Sequence, residues 1–136
     1  DMQLPTLQTI TRMCREAGVP SMFHSCGRSR ALLPMLAEET GLDGIQPLEC
    51  PPTGDIDMAE AKREFGQRLV LMGNLNTPEL MLRGSAHEVY AASCALIETC
   101  KPGGGFILST GDQCGRDTPD DNIRAMLRAA EDCGRY

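Results

Sequence analysis

The chain has 136 residues, with 13 Lys and Arg against 19 Asp and Glu, which gives a formal net charge of −6. No apolar run approaches the ~20 residues that a transmembrane helix needs, so the sequence predicts no membrane span. The net acidity and the lack of a Lys/Arg cluster argue against nucleic acid or an anionic membrane as a partner. Hydrophobic residues make up 41% and charged residues 24%, which favours a globular over a disordered protein.

The start of the chain and its cysteines bear on where the protein works. The chain begins at Asp1 with neither an initiator Met nor a secretory signal, which predicts a cut rather than a natural N-terminus. The seven cysteines are odd in number and form no CxxC pair, which is atypical of a disulfide scaffold. We therefore expect a reducing, cytoplasmic location with mostly free thiols. Four cysteines fall in helix-like segments, where packing is their expected role: Cys14, Cys94, Cys100 and Cys133.

Short apolar runs alternate with amphipathic segments along the whole chain. Apolar residues at i, i+3 and i+4 predict helices over residues 2–17, 31–40, 55–65, 86–100 and 120–133. Apolar runs that stop at polar residues predict strands over residues 19–23, 42–48, 69–72 and 106–110. Further helix signals are a start at Thr77-Pro78, a capping box from Ser85 to Glu88 and an Asp55 cap.

This alternation predicts an α/β protein with a parallel sheet, and residues 1–136 read as one domain. Two architectures fit, a small doubly wound sheet and part of a (β/α)₈ barrel. No Gly-x-Gly-x-x-Gly sequence follows a strand, so a dinucleotide-binding version of the first has no support. Four βα units preceded by a helix favour the C-terminal half of a barrel. Such a half has open strand edges, and we expect the chain to self-associate.

Polar residues gather where the predicted strands end, at the edge where parallel α/β folds build their active sites. His24 and Cys26 are two residues apart, and in an extended strand such side chains project to the same side. Imidazole nitrogen and thiolate sulfur are both good zinc ligands, so the pair predicts a zinc site. The alternatives are a buried, hydrogen-bonded histidine and a nucleophilic Cys–His pair.

The residues leave the third metal ligand open. Asp112 and Cys114 are also two apart after the last strand, and the thiol of Cys114 is the softer donor. Glu49 and Cys50 are further candidates. Asn74, which follows Gly73, offers a donor and an acceptor that could orient a substrate.

Several motifs then occur in the same order as in a known family. They are His24-Ser25-Cys26-Gly27, Gly54-Asp55-Ile56-Asp57, Gly73-Asn74-Leu75, the 104–111 segment GGFILSTG, and Thr118-Pro119 with Asn122-Ile123 and Ala125-Met126. Together they resemble the C-terminal half of the uroporphyrinogen decarboxylase superfamily, over essentially all of the chain. The resemblance implies a (β/α)₈ barrel of which the N-terminal half is missing here, and a cytoplasmic enzyme of one of two kinds.

The first kind decarboxylates uroporphyrinogen, in porphyrin biosynthesis, without a metal or cofactor. Those enzymes carry a Gly-His-Gly turn after the last strand, where this chain has residues 111–115, GDQCG. The second kind comprises zinc-dependent methyltransferases that move a methyl group between a corrinoid protein and a thiol. They carry His-x-Cys after the fifth strand, which His24 and Cys26 match. Their third ligand is a Cys in the last loop, and Asp112 occupies that place, with Cys114 two residues later.

The resemblance therefore implies zinc-dependent methyl transfer with a corrinoid carried by a partner protein. Zinc would be held by His24, Cys26 and a group from residues 112–114, while Glu49 and Asn74 orient the small-molecule substrate. The alternative enzyme is a porphyrinogen decarboxylase. The non-enzyme alternative is a truncated or degenerate barrel with a structural metal or none.

Overall fold

The computed structural model describes residues 3–135 and contains a four-stranded parallel sheet in the order β1-β2-β3-β4. The strands are β1 (Met22–His24), β2 (Gly44–Leu48), β3 (Val70–Leu75) and β4 (Phe106–Thr110). The helices are α1 (Leu4–Glu16), α2 (Leu33–Glu39), α3 (Met58–Phe65), α4 (Ala86–Cys100) and α5 (Asp120–Cys133). A 3₁₀ turn over Arg30–Leu32 precedes α2, and a single π-helical turn over Thr77–Met81 precedes α4. Met2, the first residue of the first predicted helix, lies outside the described residues.

The order of the strands confirms the predicted fold class. Neighbours in sequence are neighbours in the sheet, and all three pairs are parallel. Right-handed crossovers between consecutive parallel strands place the connecting helices on one side of the sheet. Contacts run from α2 to α3, from α3 to α4 and from α4 to α5, so the helices form a continuous row. This is the arrangement of a partial (β/α)₈ barrel.

Two apolar clusters join the helices to the sheet. The larger includes Leu36, Ile45 and Leu71, each fully buried between α2, α3 and the strands. The smaller packs Val89 of α4 and Ala125 of α5 against the end of β3. The opposite, inner face of the sheet is less covered: Met22 is 41% exposed and Ile107 is 44% exposed. The helices therefore cover one face and leave the other open.

The helix starts differ in part from the sequence prediction. The Ser85–Glu88 capping box at the start of α4 is confirmed, with both of its reciprocal hydrogen bonds. The N-cap of α3 is Asp57 rather than the predicted Asp55. The carboxylate of Asp57 accepts a hydrogen bond from the backbone N–H of Glu60, three residues later. The turn that begins at Thr77 is capped by the side chain of Asn76.

A disulfide between Cys94 of α4 and Cys133 of α5 corrects the prediction for these two cysteines. Both were expected to be free packing residues, but the close pairing of α4 and α5 brings their Cα atoms to 5.6 Å. That separation lies within the range a disulfide requires. Free thiols remain at the five other positions: Cys14, Cys26, Cys50, Cys100 and Cys114. No helix in residues 3–135 is long and apolar enough to cross a bilayer.

Candidate metal centre at the carboxyl edge of the sheet

Three potential metal ligands meet at the carboxyl ends of β1 and β4. His24 is the last residue of β1, Cys26 follows in the next loop, and Asp112 lies two residues beyond the end of β4. One ligand atom from each residue lies within 4.8 Å of the other two. The Nε2 atom of His24 is 3.0 Å from the Sγ atom of Cys26. The prediction that these two side chains share one side of the strand is confirmed.

The meeting of these residues depends on the curvature of the sheet. Strands β1 and β4 are the two outer strands, separated by three strand spacings. In a flat sheet that separation is about 14 Å, much more than the distances within the cluster. The sheet must therefore curl and its loops must converge across the open face, as in a barrel.

The cluster lines an open cleft of about 480 Å³. His24 and Cys26 are exposed, and Asp112 is half-buried. The hydroxyl of Thr110 donates to the backbone carbonyl of Asp112 at 2.7 Å, which fixes the turn after β4. The other residues along the cleft are Gln46, Pro47, Ser109, Thr110 and Gln113. The cleft thus offers uncharged hydrogen-bonding groups beside three potential metal donors.

Desolvation and the nearby carboxylates raise the pKa of the Cys26 thiol. Although Cys26 is exposed as a residue, partial desolvation of its thiol is the largest cause that raises its pKa. The charge of Asp112 and a hydrogen bond to its carboxylate raise the pKa further, and the charge of Glu49 adds to the effect. A cation placed between these donors would reverse the effect, because it would stabilise the thiolate.

Glu49 lies directly after β2 and is only 5% exposed. Its carboxylate accepts a hydrogen bond from the backbone N–H of Gly27, the residue that follows Cys26. On its other side it packs against the loop after β4, where a Cβ on Gly111 would lie 3.5 Å from Glu49 Cγ. Glu49 is therefore wedged between the two loops that carry the three donors.

Asn74, the other residue predicted to orient a substrate, lies in different surroundings. Its side chain donates to the carbonyl of Ile56 at 3.4 Å, and its own backbone carbonyl accepts from the Cys50 thiol at 3.4 Å. Asn74 and Cys50 both line a separate cavity of about 680 Å³ between α3 and α4. The structure does not bring either residue into the cleft of the cluster.

Cys114, the alternative third ligand, also lies apart from the cluster. It packs against the smaller apolar cluster, which includes Val89 and Ala125. Ser109 and Gln113 also line the cleft, and neither was predicted from the sequence. Ser109 could have been found, because it follows Ile107 by two residues and shares its inner face of β4. Gln113 lies in a loop, where no periodic pattern predicts the direction of a side chain.

The donor set fits a zinc ion. Catalytic zinc sites commonly use three protein donors drawn from imidazole, thiolate and carboxylate groups, and keep one position open for substrate. His24, Cys26 and Asp112 provide one of each type, close enough for a single ion to bridge after small adjustments. The open cleft leaves room for a further ligand.

Comparisons with known proteins show the family and the fold of the chain. A family model described as uroporphyrinogen decarboxylase (URO-D) matches residues 1–133. The methylcobamide:CoM methyltransferase MtaA of Methanosarcina barkeri is 30% identical over 112 residues, which are 82% of this chain and 30% of that protein. A uroporphyrinogen decarboxylase of Crocosphaera subtropica is 27% identical over 132 residues, which are 94% of this chain and 34% of that protein.

A solved structure described as a methyltransferase from Methanosarcina mazei has the same fold. It matches with a TM-score of 0.74 at 21% sequence identity, and the match covers 93% of this chain and 35% of that one. The chain spans about a third of the length of the curated relatives that it matches.

Proposed function

Because the chain belongs to the uroporphyrinogen decarboxylase (URO-D) family, we propose that it is the four-stranded C-terminal part of a barrel enzyme that transfers methyl groups. In the proposed reaction the methyl group passes from a methyl-corrinoid, carried by a partner protein, to the sulfur of a small thiol. The thiol would lose its proton to solvent, an S–CH₃ bond would form as the Co–CH₃ bond breaks, and the electron pair of the broken bond would stay on the cobalt.

One observation carries this proposal over the others, namely the convergence of His24, Cys26 and Asp112 within 4.8 Å at the carboxyl edge. The family resemblance implies that porphyrinogen decarboxylation needs no metal. That reaction therefore does not explain why a thiol lies beside an imidazole. A relative named for methyl transfer, MtaA of Methanosarcina barkeri, shares 30% identity with the chain. The chemistry of the donors and this similarity support the same class of reaction.

Each residue of the proposed site has its own role in holding zinc or in orienting the acceptor. When bound, zinc lowers the pKa of a coordinated thiol, which supplies a thiolate nucleophile at neutral pH. His24 gives a nitrogen donor and Cys26 a sulfur donor, and a group from residues 112–114 completes the protein ligands. Glu49 holds the loop of Cys26 through the N–H of Gly27. The amide of Gln46 and the hydroxyl of Ser109 lie along the cleft, where they can orient the acceptor.

The five free thiols of the described chain favour the proposed cytoplasmic location, whereas the Cys94–Cys133 disulfide counts against a strongly reducing one. Asn74 acts indirectly in this proposal, through its bonds to the loops after β2 rather than by contact with the acceptor.

Porphyrinogen decarboxylation is the second candidate, and one observation favours it. The decarboxylase of Crocosphaera subtropica aligns with 94% of the chain, more than the 82% that the methyltransferase MtaA covers. In this case the cluster would be a structural metal site or none.

A direct assay separates the two candidates. The protein is incubated with zinc, methylcobalamin and a thiol such as coenzyme M, and the methylated thiol is measured. We expect transfer in the wild type, loss in Cys26→Ala, and transfer retained in Cys14→Ser, whose thiol lies in α1. Release of CO₂ from uroporphyrinogen, with no methyl transfer, would overturn the proposal in favour of the decarboxylase.

A further inference from the structure

We infer that the third protein donor of the metal centre is the carboxylate of Asp112 and not the thiol of Cys114. The centre then has one nitrogen, one sulfur and one oxygen donor from the protein. This inference rests on the proposed function, because it names a ligand of the centre proposed above.

The position of Asp112 supports its assignment as a ligand. Its carboxylate belongs to the group of donors that lie within 4.8 Å of one another, and it also lines the cleft. Its backbone is held by the Thr110 hydroxyl, which donates to the Asp112 carbonyl at 2.7 Å. The carboxylate is therefore already directed at His24 and Cys26 by the turn that follows β4.

The position of Cys114 argues against the alternative. Its side chain packs against the smaller apolar cluster, whose buried residues include Val89 of α4 and Ala125 of α5. To reach the three donors, the thiol would have to leave these contacts. The carboxylate of Asp112 already lies beside His24 and Cys26, so the fold favours Asp112.

The oxygen donor has a consequence for metal selectivity. Thiolate sulfur favours soft cations such as Cd²⁺, whereas carboxylate oxygen suits harder ones. A site with one thiolate should therefore prefer Cd²⁺ over Co²⁺ less strongly than a site with two. Replacing Asp112 by Cys should shift that preference towards Cd²⁺ without moving the other ligands.

Cobalt binding tests the donor set independently of activity. Co²⁺ bound by thiolate shows a sulfur-to-metal charge-transfer band, whose intensity grows with the number of Co–S bonds. We expect the band in the wild type, no change in Cys114→Ser, Cys114→Ala or the control Cys14→Ser, and loss in Cys26→Ser. Asp112→Cys should raise the intensity about two-fold, and Asp112→Ala should weaken Co²⁺ binding by about 100-fold.

Either of two outcomes would overturn the inference, and the second would also overturn the proposed function. If Cys114→Ser and Cys114→Ala halve the band while Co²⁺ stays bound, Cys114 is a ligand and only the present inference fails. If the wild type binds no Co²⁺ with thiolate character, the metal centre itself fails, and the proposed function fails with it.

Discussion

Each donor of the cluster is held by a different local constraint. His24 is fixed by its place in β1, where it is paired with Gln46 of β2. Cys26 is held through the following residue, whose N–H is bound by the buried carboxylate of Glu49. Asp112 is held by the hydroxyl of Thr110. The geometry of the site thus depends on two hydrogen bonds from outside the donor set.

The acidic groups around Cys26 lead to a prediction about its reactivity. Because Asp112 contributes more than Glu49 to raising the pKa of the thiol, Asp112→Asn should lower that pKa more than Glu49→Gln does. A lower pKa gives more thiolate at a given pH, so alkylation without metal should become faster in the same order. The measurement is the pH dependence of Cys26 alkylation by peptide mass spectrometry.

Glu16→Gln is the control for this prediction, because Glu16 lies at the far end of α1 and does not appear among the causes of the Cys26 shift. It should leave the Cys26 profile unchanged. A profile that does not move in Asp112→Asn would show that the carboxylate does not act on the thiol.

The sequence predicted that the side chains of His24 and Cys26 lie on the same side, but it did not predict side-chain positions that depend on the course of a loop. The two-residue spacing of His24 and Cys26 predicts a shared side, because extended backbone alternates its side chains. The same spacing for Asp112 and Cys114 predicts nothing reliable, because the chain turns after Thr110. The place of Asn74 depends on its contacts with Ile56 and Cys50, which no local pattern shows.

At the scale of elements, α4 and α5 form the most extensively paired helices of the described chain. Besides the disulfide, Tyr90 donates to the carboxylate of Asp132 at 3.0 Å. The amide of Asn122 reaches back to the carbonyls of Met81 and Gly84 at 2.9 and 2.8 Å. Hydrogen bonds at both ends of α5 therefore hold it in place, and the disulfide adds a covalent link.

The disulfide should stabilise the fold measurably. It joins residues 39 positions apart, and closing a loop of that length in the unfolded chain is worth about 3–4 kcal/mol. We expect Cys94→Ser to lower the free energy of unfolding by roughly that amount in denaturant titrations without reductant. Adding a reductant should bring the wild type down to the level of the variant.

Cys14→Ser removes a free thiol from α1 and keeps the disulfide. It should unfold with the free energy of the wild type and lose stability on adding reductant as the wild type does. Equal stability of the wild type and Cys94→Ser without reductant would contradict this account. The sequence could not predict the pair, because 38 residues separate its members and only the packing of α4 on α5 brings them together.

At the scale of the whole molecule, the sheet has helices on one face and two outer strands, β1 and β4. The inner face carries exposed apolar side chains, among them Met22 and Ile107. The fold class was predictable, because the alternation of apolar runs and amphipathic segments has one simple solution, a parallel sheet covered by helices. The curl of the sheet, which brings β1 towards β4, has no signal in the local sequence.

This open face predicts that the chain self-associates in solution. Sedimentation velocity should show dimers or larger species that dissociate on dilution, since exposed apolar faces and strand edges promote pairing. Ile107→Gln should weaken association, because Ile107 is 44% exposed on the inner face. Leu127→Gln is the matched control, since Leu127 is 55% exposed on α5. A compact wild-type monomer at every concentration would be the contrary result.

We propose that His24, Cys26 and a third group of this chain bind zinc at the carboxyl edge of the sheet. X-ray absorption at the zinc edge of the loaded protein tests it most directly. We expect about one zinc per chain, with one sulfur at ~2.3 Å and nitrogen or oxygen donors at ~2.0–2.1 Å, and loss of the sulfur in Cys26→Ser. Zinc below about 0.1 per chain, or a shell without sulfur, would contradict the account.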